Sequence, residues 1–328
     1  MHKINLKDIF SIQNPRQLES LAMEIFRFQV QNCAVYCHFV ENLGIKYSEI
    51  KTISDIPYLP IQFFKSHDVI SGTGIGEEIF TSSGTSGMKQ SKHIVLDIKL
   101  YVQSFRKAFE SYYGDITKYS VLALLPSYLE RDGSSLIYMA DNLIQASDND
   151  QSGYFLYDHQ KLNDVLLYLN QSKRPTILIG VTYALLDFAE SHSIEFPELI
   201  VMETGGMKGK RREMVRNELH EILCAGFGVP VIHSEYGMTE LLSQAYSKAA
   251  GIFHCPPWMQ VKVRDTNDPL ELLGNGQTGG INVIDLANIN SCSFIATQDL
   301  GKTFPDGTFE ILGRFDNSDI RGCNLLVQ

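Results

Sequence analysis

The first third of the chain carries apolar residues at helical spacing. Asn14 is a favourable N-cap, and Pro15 suits the first position of a helix. Gly44 is a residue type that often ends a helix. The pattern therefore predicts a helix from Asn14 to Gly44. Its apolar positions are Leu18, Leu21, Ala22, Ile25, Phe26, Cys33, Val40 and Leu43.

From about Tyr119 short β-rich runs alternate with helical stretches. This alternation predicts an α/β fold with a mostly parallel sheet covered by helices. Ligands on such sheets bind beyond the carboxyl ends of the strands, and two unusual segments, residues 203–206 and 234–240, fall at such ends. The β-rich runs are residues 121–125, 154–157, 176–179, 199–202 and 229–233.

After Trp258 short strand-like pieces are separated by Gly and Asp residues. This pattern predicts a small antiparallel sheet or barrel attached to the α/β body. The expected organisation is a mostly helical lead-in with a Gly-rich loop (residues 1–118), an α/β sheet body (119–257) and a β-rich subdomain (258–328). The strand-like pieces cover residues 260–263, 280–284, 293–297 and 308–312.

Charge and composition narrow the classes of function. The 328 residues include 28 basic and 38 acidic side chains, a formal net charge of −10. This charge disfavours nucleic acid as the main partner, because phosphate backbones attract basic surfaces. The charged N-terminus does not resemble a signal peptide, and no apolar run approaches the roughly 20 residues of a membrane span. We therefore expect a cytoplasmic protein with no membrane span.

The six cysteines are too sparse for a disulfide framework in a chain of this length, and we expect reduced thiols. Cys33 and Cys37 lie one helical turn apart with His38 beside them. A metal site is conceivable there, but buried helical cysteines mostly pack. The six are Cys33, Cys37, Cys224, Cys255, Cys292 and Cys323.

A Ser/Thr/Gly-rich segment follows an apolar stretch near residue 80. Glycine allows a sharp bend and a close approach of the backbone to a ligand. Successive backbone N–H groups in such a bend form an anion-binding nest, for which a phosphate chain is a natural ligand. The segment does not fit the Walker A pattern, and an ordinary solvated loop has a similar composition. It reads Phe80-Thr81-Ser82-Ser83-Gly84-Thr85-Ser86-Gly87.

Four segments in this order resemble the acyl-adenylate-forming superfamily. They are residues 81–87, Tyr236-Gly237-Met238-Thr239-Glu240, Gln298-Asp299-Leu300-Gly301, and Gly313-Arg314-Phe315-Asp316 running on to Ile320-Arg321-Gly322-Cys323. Within the superfamily, residues 61–67 and the late Cys323 look like the LuxE-type acyl-protein synthetases, also called long-chain-fatty-acid–luciferin-component ligases. The phenylacetate–CoA ligase branch is similar but less close. The resemblance covers nearly the whole chain and implies one adenylation domain over residues 1–328.

The resemblance implies an ATP site and a Mg²⁺ site. Tyr236, with Gly237 and Thr239 in the same segment, would lie against the adenine, and Gly205 and Gly206 would line that pocket. Glu240 would hold Mg²⁺, a hard cation that prefers carboxylate oxygen. Asp299 would accept hydrogen bonds from the ribose hydroxyls, and Arg314 would bind ribose or phosphate. The phosphates would lie in the loop formed by Thr81, Ser82, Ser83, Gly84, Thr85, Ser86 and Gly87.

Each of these residues also has an ordinary structural interpretation. Glu240 suits the N-terminus of a helix on dipole grounds alone. Asp299 with Gly301 suits a turn. Arg314 suits a surface ion pair. The order of all four segments, rather than any one residue, favours the functional interpretation.

The implied chemistry has two steps. A carboxylate, most simply a fatty acid, attacks the α-phosphorus of ATP, which releases pyrophosphate and leaves an acyl-adenylate. Loop donors, Mg²⁺ and Arg314 would neutralise the charge. A thiol then attacks the mixed anhydride. We expect that thiol to be Cys323, with Arg321 near enough in sequence to favour the thiolate. The alternative is that Cys323 only packs in the last strand.

The sequence departs from the superfamily pattern near its end. Most members continue into a small mobile C-terminal domain that carries a lysine for the reacting groups. No such lysine can be assigned here, and we expect that domain to be absent. Lys65, Lys89 and Lys92 are candidate substitutes, and a partner protein is another. LuxE-type proteins act with a reductase, so a reductase or another acyl acceptor is the expected partner.

Two other functions stay open at this stage. One is an acyl- or aryl-CoA ligase, in which coenzyme A takes the acyl group. The other is a non-catalytic protein that binds a nucleotide. The missing lysine favours the non-catalytic protein, whereas the loop together with Glu240, Asp299 and Arg314 favours an enzyme.

Overall fold

The chain divides into two compact units. The computed structural model describes residues 4–82, 89–126, 132–207, 210–212 and 214–314. We call Met1–Thr73 together with Pro257–Gln328 the terminal unit, and Gly74–Pro256 the central unit. The chain therefore leaves the terminal unit after residue 73 and returns to it at residue 257.

The bounds of the helices and strands follow the sequence pattern in most places, but the strand expected at residues 229–233 lies instead at His233–Tyr236. In the described residues the helices are α1 (Leu6–Ile9), α2 (Pro15–Asn32), α3 (Ala34–Asn42), α4 (Phe63–Ser66), α5 (Ile98–Tyr113), α6 (Ser135–Ser147), α7 (His159–Gln171), α8 (Thr182–Ser191) and α9 (Arg216–Phe227). The strands are β1 (Leu59–Pro60), β2 (Glu78–Thr81), β3 (Lys92–Val95), β4 (Ser120–Leu124), β5 (Gly153–Tyr154), β6 (Thr176–Val181), β7 (Ile200–Thr204), β8 (His233–Tyr236), β9 (Ala245–Ser247), β10 (Ile252–Phe253), β11 (Met259–Arg264), β12 (Leu272–Leu273), β13 (Gly279–Asp285), β14 (Phe294–Thr303) and β15 (Phe309–Arg314).

The central unit contains the predicted parallel sheet. Its strand order is β5-β4-β6-β7-β8-β9, and all neighbouring pairs are parallel except β8 with β9. Every residue of β4 and β6 is buried, as expected where helices cover both faces of a parallel sheet. Apolar side chains of α7, α8 and α9 join these strands in one hydrophobic core. The α/β architecture predicted from the alternating pattern is confirmed.

The helical lead-in differs from its prediction at one residue. Asn14 caps α2, because its Oδ1 accepts from the Gln17 backbone N at 3.1 Å, and Pro15 is the first helical residue. The predicted single helix is instead two helices, since Cys33 is extended, with φ −108° and ψ 102°. Apolar spacing continues on both sides of Cys33, so periodicity alone could not reveal a break one residue long.

The β-rich part of the terminal unit is an antiparallel sheet, as the pattern predicts. Its order is β15-β14-β13-β11-β12, and the short β1 joins β14 in parallel. Gln29 of α2, fully buried, donates to the carbonyls of Asn288 and Ile289 at 3.1 and 2.9 Å. The Gln29 side chain therefore joins α2 to the β-rich segment through buried hydrogen bonds. No helix in the described part of the chain is long and apolar enough to cross a membrane.

Candidate active site

The predicted phosphate loop is the connection of a β-hairpin in the central unit. β2 and β3 pair antiparallel, with Thr81 opposite Lys92 at the loop end. Thr81 and Ser82 are described. The other predicted loop residues, Ser83, Gly84, Thr85, Ser86 and Gly87, lie outside the described residues. The structure therefore describes the two strand ends that flank this loop.

Hydrogen bonds hold the base of the loop together. Ser82 N donates to the Ser91 carbonyl at 3.1 Å, and Ser91 N donates to the Ser82 Oγ at 2.9 Å. Thr81 N donates to the Gly133 carbonyl at 2.8 Å. Gly133 has φ +77°, and a Cβ there would lie 2.9 Å from the Ile79 carbonyl oxygen. Only glycine fits this close approach without strain.

Two predicted nucleotide-binding segments lie at the carboxyl ends of β7 and β8. Gly205 and Gly206 follow β7 with φ +71° and +66°, a region that favours glycine. Tyr236 is the last residue of β8. Since β7 and β8 are parallel neighbours, their carboxyl ends lie at one edge of the sheet. The fold therefore brings Gly205, Gly206 and Tyr236 to the edge where α/β proteins bind ligands.

The Tyr236 ring packs against another aromatic ring. Tyr236 is 9% exposed, and its centroid lies 5.9 Å from that of Phe253. The guanidinium carbon of Arg216 lies 5.4 Å from the Phe253 centroid, within the range of a cation–π contact. Tyr236 therefore packs at a tilt against Phe253, whose ring also contacts the Arg216 guanidinium.

The segment that carries Glu240 is tied to the loop hairpin. Leu241 N donates to the Met238 carbonyl at 3.1 Å, so the chain turns immediately after Tyr236-Gly237. Glu240 is 5% exposed. His93 of β3 is almost fully buried, and its Nδ1 lies 2.8 Å from the carbonyl oxygen of Thr239. Nothing in the sequence pattern links these two residues, because 146 positions separate them.

Glu203, just before the glycine pair, is the centre of a polar network. Thr182 Oγ1 and Ser234 Oγ each donate to its carboxylate at 2.9 Å. His220 Nε2 lies 3.6 Å from the same group. Burial favours a higher pKa for Glu203, but His220, the charge of Arg216 and the two hydroxyl donors together hold its pKa below the usual range. Glu203 is therefore a charged group that joins β7, β8, α8 and α9.

The pKa of Glu235, on β8, is shifted in the opposite direction. Its Oε2 accepts from Thr204 Oγ1 at 2.5 Å, and its side chain is buried. Burial raises the pKa of Glu235 to about 7, assisted by the charge of Glu203 and opposed by the Thr204 hydrogen bond. A Cβ on Gly237 would lie 2.4 Å from Glu235 Oε1. The glycine of the predicted nucleotide-binding segment thus makes room for this carboxyl group.

We expect Glu235 to reduce the stability of the fold as pH rises. The pKa of Glu235 is higher in the folded chain than in the unfolded chain. Its contribution to the free energy of unfolding is therefore complete below the usual glutamate pKa and is lost as pH rises through about 7. The loss is on the order of 3 kcal/mol, because a tenfold change in proton affinity corresponds to about 1.4 kcal/mol. Glu235→Gln should raise the urea midpoint at about pH 8.5 and leave it nearly unchanged at about pH 4.5.

Glu203→Gln is the matched control, since it makes the same chemical change on a neighbouring strand. The pKa of Glu203 is lowered on folding. Its contribution to the free energy of unfolding is therefore present above the usual glutamate pKa and is lost as pH falls through the pKa of the folded chain. This variant should lower the urea midpoint at neutral and alkaline pH. Equal effects of the two substitutions at alkaline pH would contradict the assignment of Glu235.

In the terminal unit, Asp299 and Arg314 form a cross-strand pair. They are register partners on β14 and β15, and Arg314 Nε lies 3.3 Å from Asp299 Oδ1. The Arg314 side chain is 70% exposed, whereas that of Asp299 is 12% exposed. Thr297 Oγ1 accepts from the Asp299 backbone N at 3.1 Å. Two residues predicted separately to bind the ribose or phosphate are therefore neighbours on one sheet.

The described cysteines are poor nucleophiles in most cases. Burial raises the pKa of Cys33, Cys224 and Cys292, and burial together with Glu41 raises the pKa of Cys37. A raised pKa keeps a thiol protonated and unreactive near neutral pH. The predicted nucleophile Cys323 lies outside the described residues.

Glu240 provides one carboxylate at the carboxyl end of β8. Within the described residues, no group of three or more His, Cys, Asp or Glu side chains is arranged to hold a metal ion. Mg²⁺ commonly takes one or two protein carboxylates and completes its shell with substrate phosphates and water. A buried Glu240, joined to the phosphate-loop hairpin through Thr239, fits that mode of binding.

Several solved structures of CoA ligases and related ATP-binding proteins have the fold of this chain. ATP-bound MatB from Rhodopseudomonas palustris matches with a TM-score of 0.55 and 19% identity, over 72% of this chain and 47% of MatB. A 2-hydroxyisobutyryl-CoA ligase in complex with 2-HIB-AMP and CoA matches with a TM-score of 0.64 and 12% identity, over 92% of this chain and 70% of the ligase. The long-chain-fatty-acid-CoA ligase FadD1 from Archaeoglobus fulgidus matches with a TM-score of 0.50 and 16% identity, over 72% and 51% of the two chains.

These matches establish the fold. The chain has the α/β fold of these ligase structures, and it spans about half the length of the MatB chain. No protein-family model and no curated protein sequence matches it.

Proposed function

We propose that this protein uses ATP to activate a carboxylic acid as an acyl-adenylate and then holds the acyl group as a thioester on Cys323. The observation that carries the proposal is the hydrogen bond between His93 and Thr239, which joins a Ser/Thr/Gly loop hairpin to the Tyr236–Glu240 segment at the carboxyl edge of a parallel sheet. Solved structures of the same fold contain ATP or an acyl-AMP.

Within the central unit, the loop from Thr81 to Gly87 binds the phosphates of ATP. Gly205, Gly206 and Tyr236 surround the adenine, because glycine leaves room for the base and a phenol ring offers a stacking face. Asp299 and Arg314, which pair with each other, are proposed from the resemblance alone to bind the ribose and phosphate. Glu240 holds Mg²⁺, which when bound neutralises phosphate charge.

The acid reacts through one of its carboxylate oxygens. That oxygen bonds to the α-phosphorus, and the bond from the α-phosphorus to the bridging oxygen breaks, which releases pyrophosphate. The Cys323 thiolate then bonds to the acyl carbon, and AMP leaves. Raised pKa values at Cys33, Cys37, Cys224 and Cys292 count against those four thiols. The resemblance to LuxE-type synthetases is what favours Cys323 for this step.

A fatty acid is the substrate class we favour, and a reductase or another acyl acceptor is the partner we favour. Both rest on the resemblance to LuxE-type synthetases. The match to a long-chain-fatty-acid-CoA ligase supports the substrate class.

A CoA ligase is the second candidate. A ligase of the same fold has been captured in complex with both 2-HIB-AMP and CoA. Radiolabelled acid separates the two functions: label retained on the protein without coenzyme A favours the thioester, whereas label that leaves only when coenzyme A is added favours the ligase.

The proposal predicts acid-dependent release of pyrophosphate. The purified protein is incubated with ATP, Mg²⁺ and one acid at a time, from short to long alkyl chains and including aryl acids. We expect release above the acid-free rate, with the highest rate for a fatty acid. If no acid raises the rate although ATP binds, the protein is a nucleotide-binding protein without adenylation activity, and the proposal is wrong.

A further inference from the structure

His93 occupies a position between two parts of the candidate site. It lies on β3, two residues after Ser91 at the base of the phosphate loop, and it is 1% exposed. Its Nδ1 lies 2.8 Å from the Thr239 carbonyl oxygen. A carbonyl oxygen only accepts hydrogen bonds, so Nδ1 must carry the hydrogen. The tautomer of His93 is thereby fixed by Thr239.

This hydrogen bond joins the loop to the residue before Glu240. Ser82 and Ser91 already hold the two ends of the loop together. The His93 bond ties β3 of the same hairpin to Thr239, the residue before Glu240. A buried hydrogen bond of this kind constrains position strongly, because leaving the carbonyl without a donor is costly.

A second buried hydrogen bond joins residues that follow His93 and Glu240 in the sequence. Ser104 Oγ of α5 and Ser243 Oγ are 2.9 Å apart, and both side chains are fully buried. This bond also connects the stretch after the loop to the stretch after Glu240. Removing this bond therefore disturbs a buried contact between neighbouring parts of the chain without changing the contact to Thr239.

We infer that His93 is a positioning residue that holds the segment carrying Glu240 against β3 of the loop hairpin, an inference that rests on the proposed function. His93 acts through its hydrogen bond to the Thr239 carbonyl. Its removal should weaken the binding of Mg²⁺ and ATP together, since Glu240 is no longer held against β3.

The test uses two substitutions that differ in where they place a donor. His93→Asn puts an amide nitrogen near the original Nδ1 position, whereas His93→Gln puts it near the Nε2 position. We expect His93→Gln to raise the Mg²⁺ concentration for half-maximal pyrophosphate release by about 3- to 10-fold, the range for loss of one buried hydrogen bond. His93→Asn should stay within about twofold of the unsubstituted protein.

Ser104→Ala is the structural control. It should lower the thermal unfolding midpoint without shifting the Mg²⁺ midpoint. An equal Mg²⁺ shift in His93→Asn and His93→Gln, or a shift in Ser104→Ala as large as in His93→Gln, overturns the inference.

Direct binding of ATP separates failure of this inference from failure of the proposed function. If the unsubstituted protein releases no pyrophosphate with any acid, the proposed adenylation is wrong. The role of His93 is then tested by measuring the affinity for ATP by calorimetry with and without Mg²⁺. A Mg²⁺-dependent affinity that falls in His93→Gln and recovers in His93→Asn supports positioning. Equal affinities in all three proteins, or no binding of ATP, overturn it.

Discussion

Replacing Glu240 with glutamine is expected to reduce acid-dependent pyrophosphate release about 100-fold, the lower end of the range for removing one electrostatic stabiliser from an active site. The substitution keeps the size of the side chain but removes the charge that a hard cation prefers. Because Glu240 is 5% exposed, water cannot easily take the place of the lost ligand. The measurement is the rate of pyrophosphate release at saturating ATP over a series of Mg²⁺ concentrations.

Glu110→Gln is the matched control for charge. Glu110 is an exposed residue of α5 in the same unit, so the same chemical change there should leave the rate within about twofold. Thermal unfolding of both variants confirms that the fold is intact. If Glu240→Gln keeps more than half of the activity at every Mg²⁺ concentration, Glu240 is not the metal ligand.

The architecture of the central unit could be predicted because its strands are buried on both faces. Every residue of β4 and β6 is buried, and such strands read as continuous apolar runs in the sequence. Alternation with amphipathic helices then leaves a parallel sheet as the simplest arrangement. The placement of Tyr236 and the glycine pair at the carboxyl edge follows from the same rule.

The break at Cys33 could not be predicted, for a local reason. One extended residue between two helices changes the direction of the chain but leaves the apolar spacing nearly intact. The backbone at Cys33 still accepts a hydrogen bond from Cys37 N at 2.8 Å and donates one to the Gln29 carbonyl at 2.8 Å. Periodicity therefore predicts the existence of helical structure here better than its continuity.

The polar links of the candidate site depend on long-range register. His93 and Thr239 are 146 positions apart, and Asp299 meets Arg314 only because β14 and β15 pair in one register with a shift between Leu300 and Gly301. Motifs identified each of Thr239, Asp299 and Arg314 separately. Which of them contact one another is decided by strand pairing, and a sequence pattern does not specify that pairing residue by residue.

The contrast between Glu203 and Glu235 is a further property that composition cannot reveal. Both are glutamates near the carboxyl ends of adjacent strands, yet the pKa of Glu203 is lowered and that of Glu235 is raised to about 7. The difference comes from the number of donors and cations around each carboxyl group. Glu203 therefore holds the sheet edge as a charged group, whereas the raised pKa of Glu235 favours its neutral form below about pH 7.

Cys323→Ser is expected to abolish acyl label retained on the protein and to leave pyrophosphate release within about twofold, because a serine hydroxyl without an activating base is a far weaker nucleophile than a thiolate. Adenylation needs no thiol, so the first step should continue. The measurement is radiolabelled acid retained after denaturation, with hydroxylamine to confirm a thioester. Cys255→Ser is the matched control and should keep the label. Retention of label in Cys323→Ser, or its loss in Cys255→Ser, would show that another residue carries the acyl group.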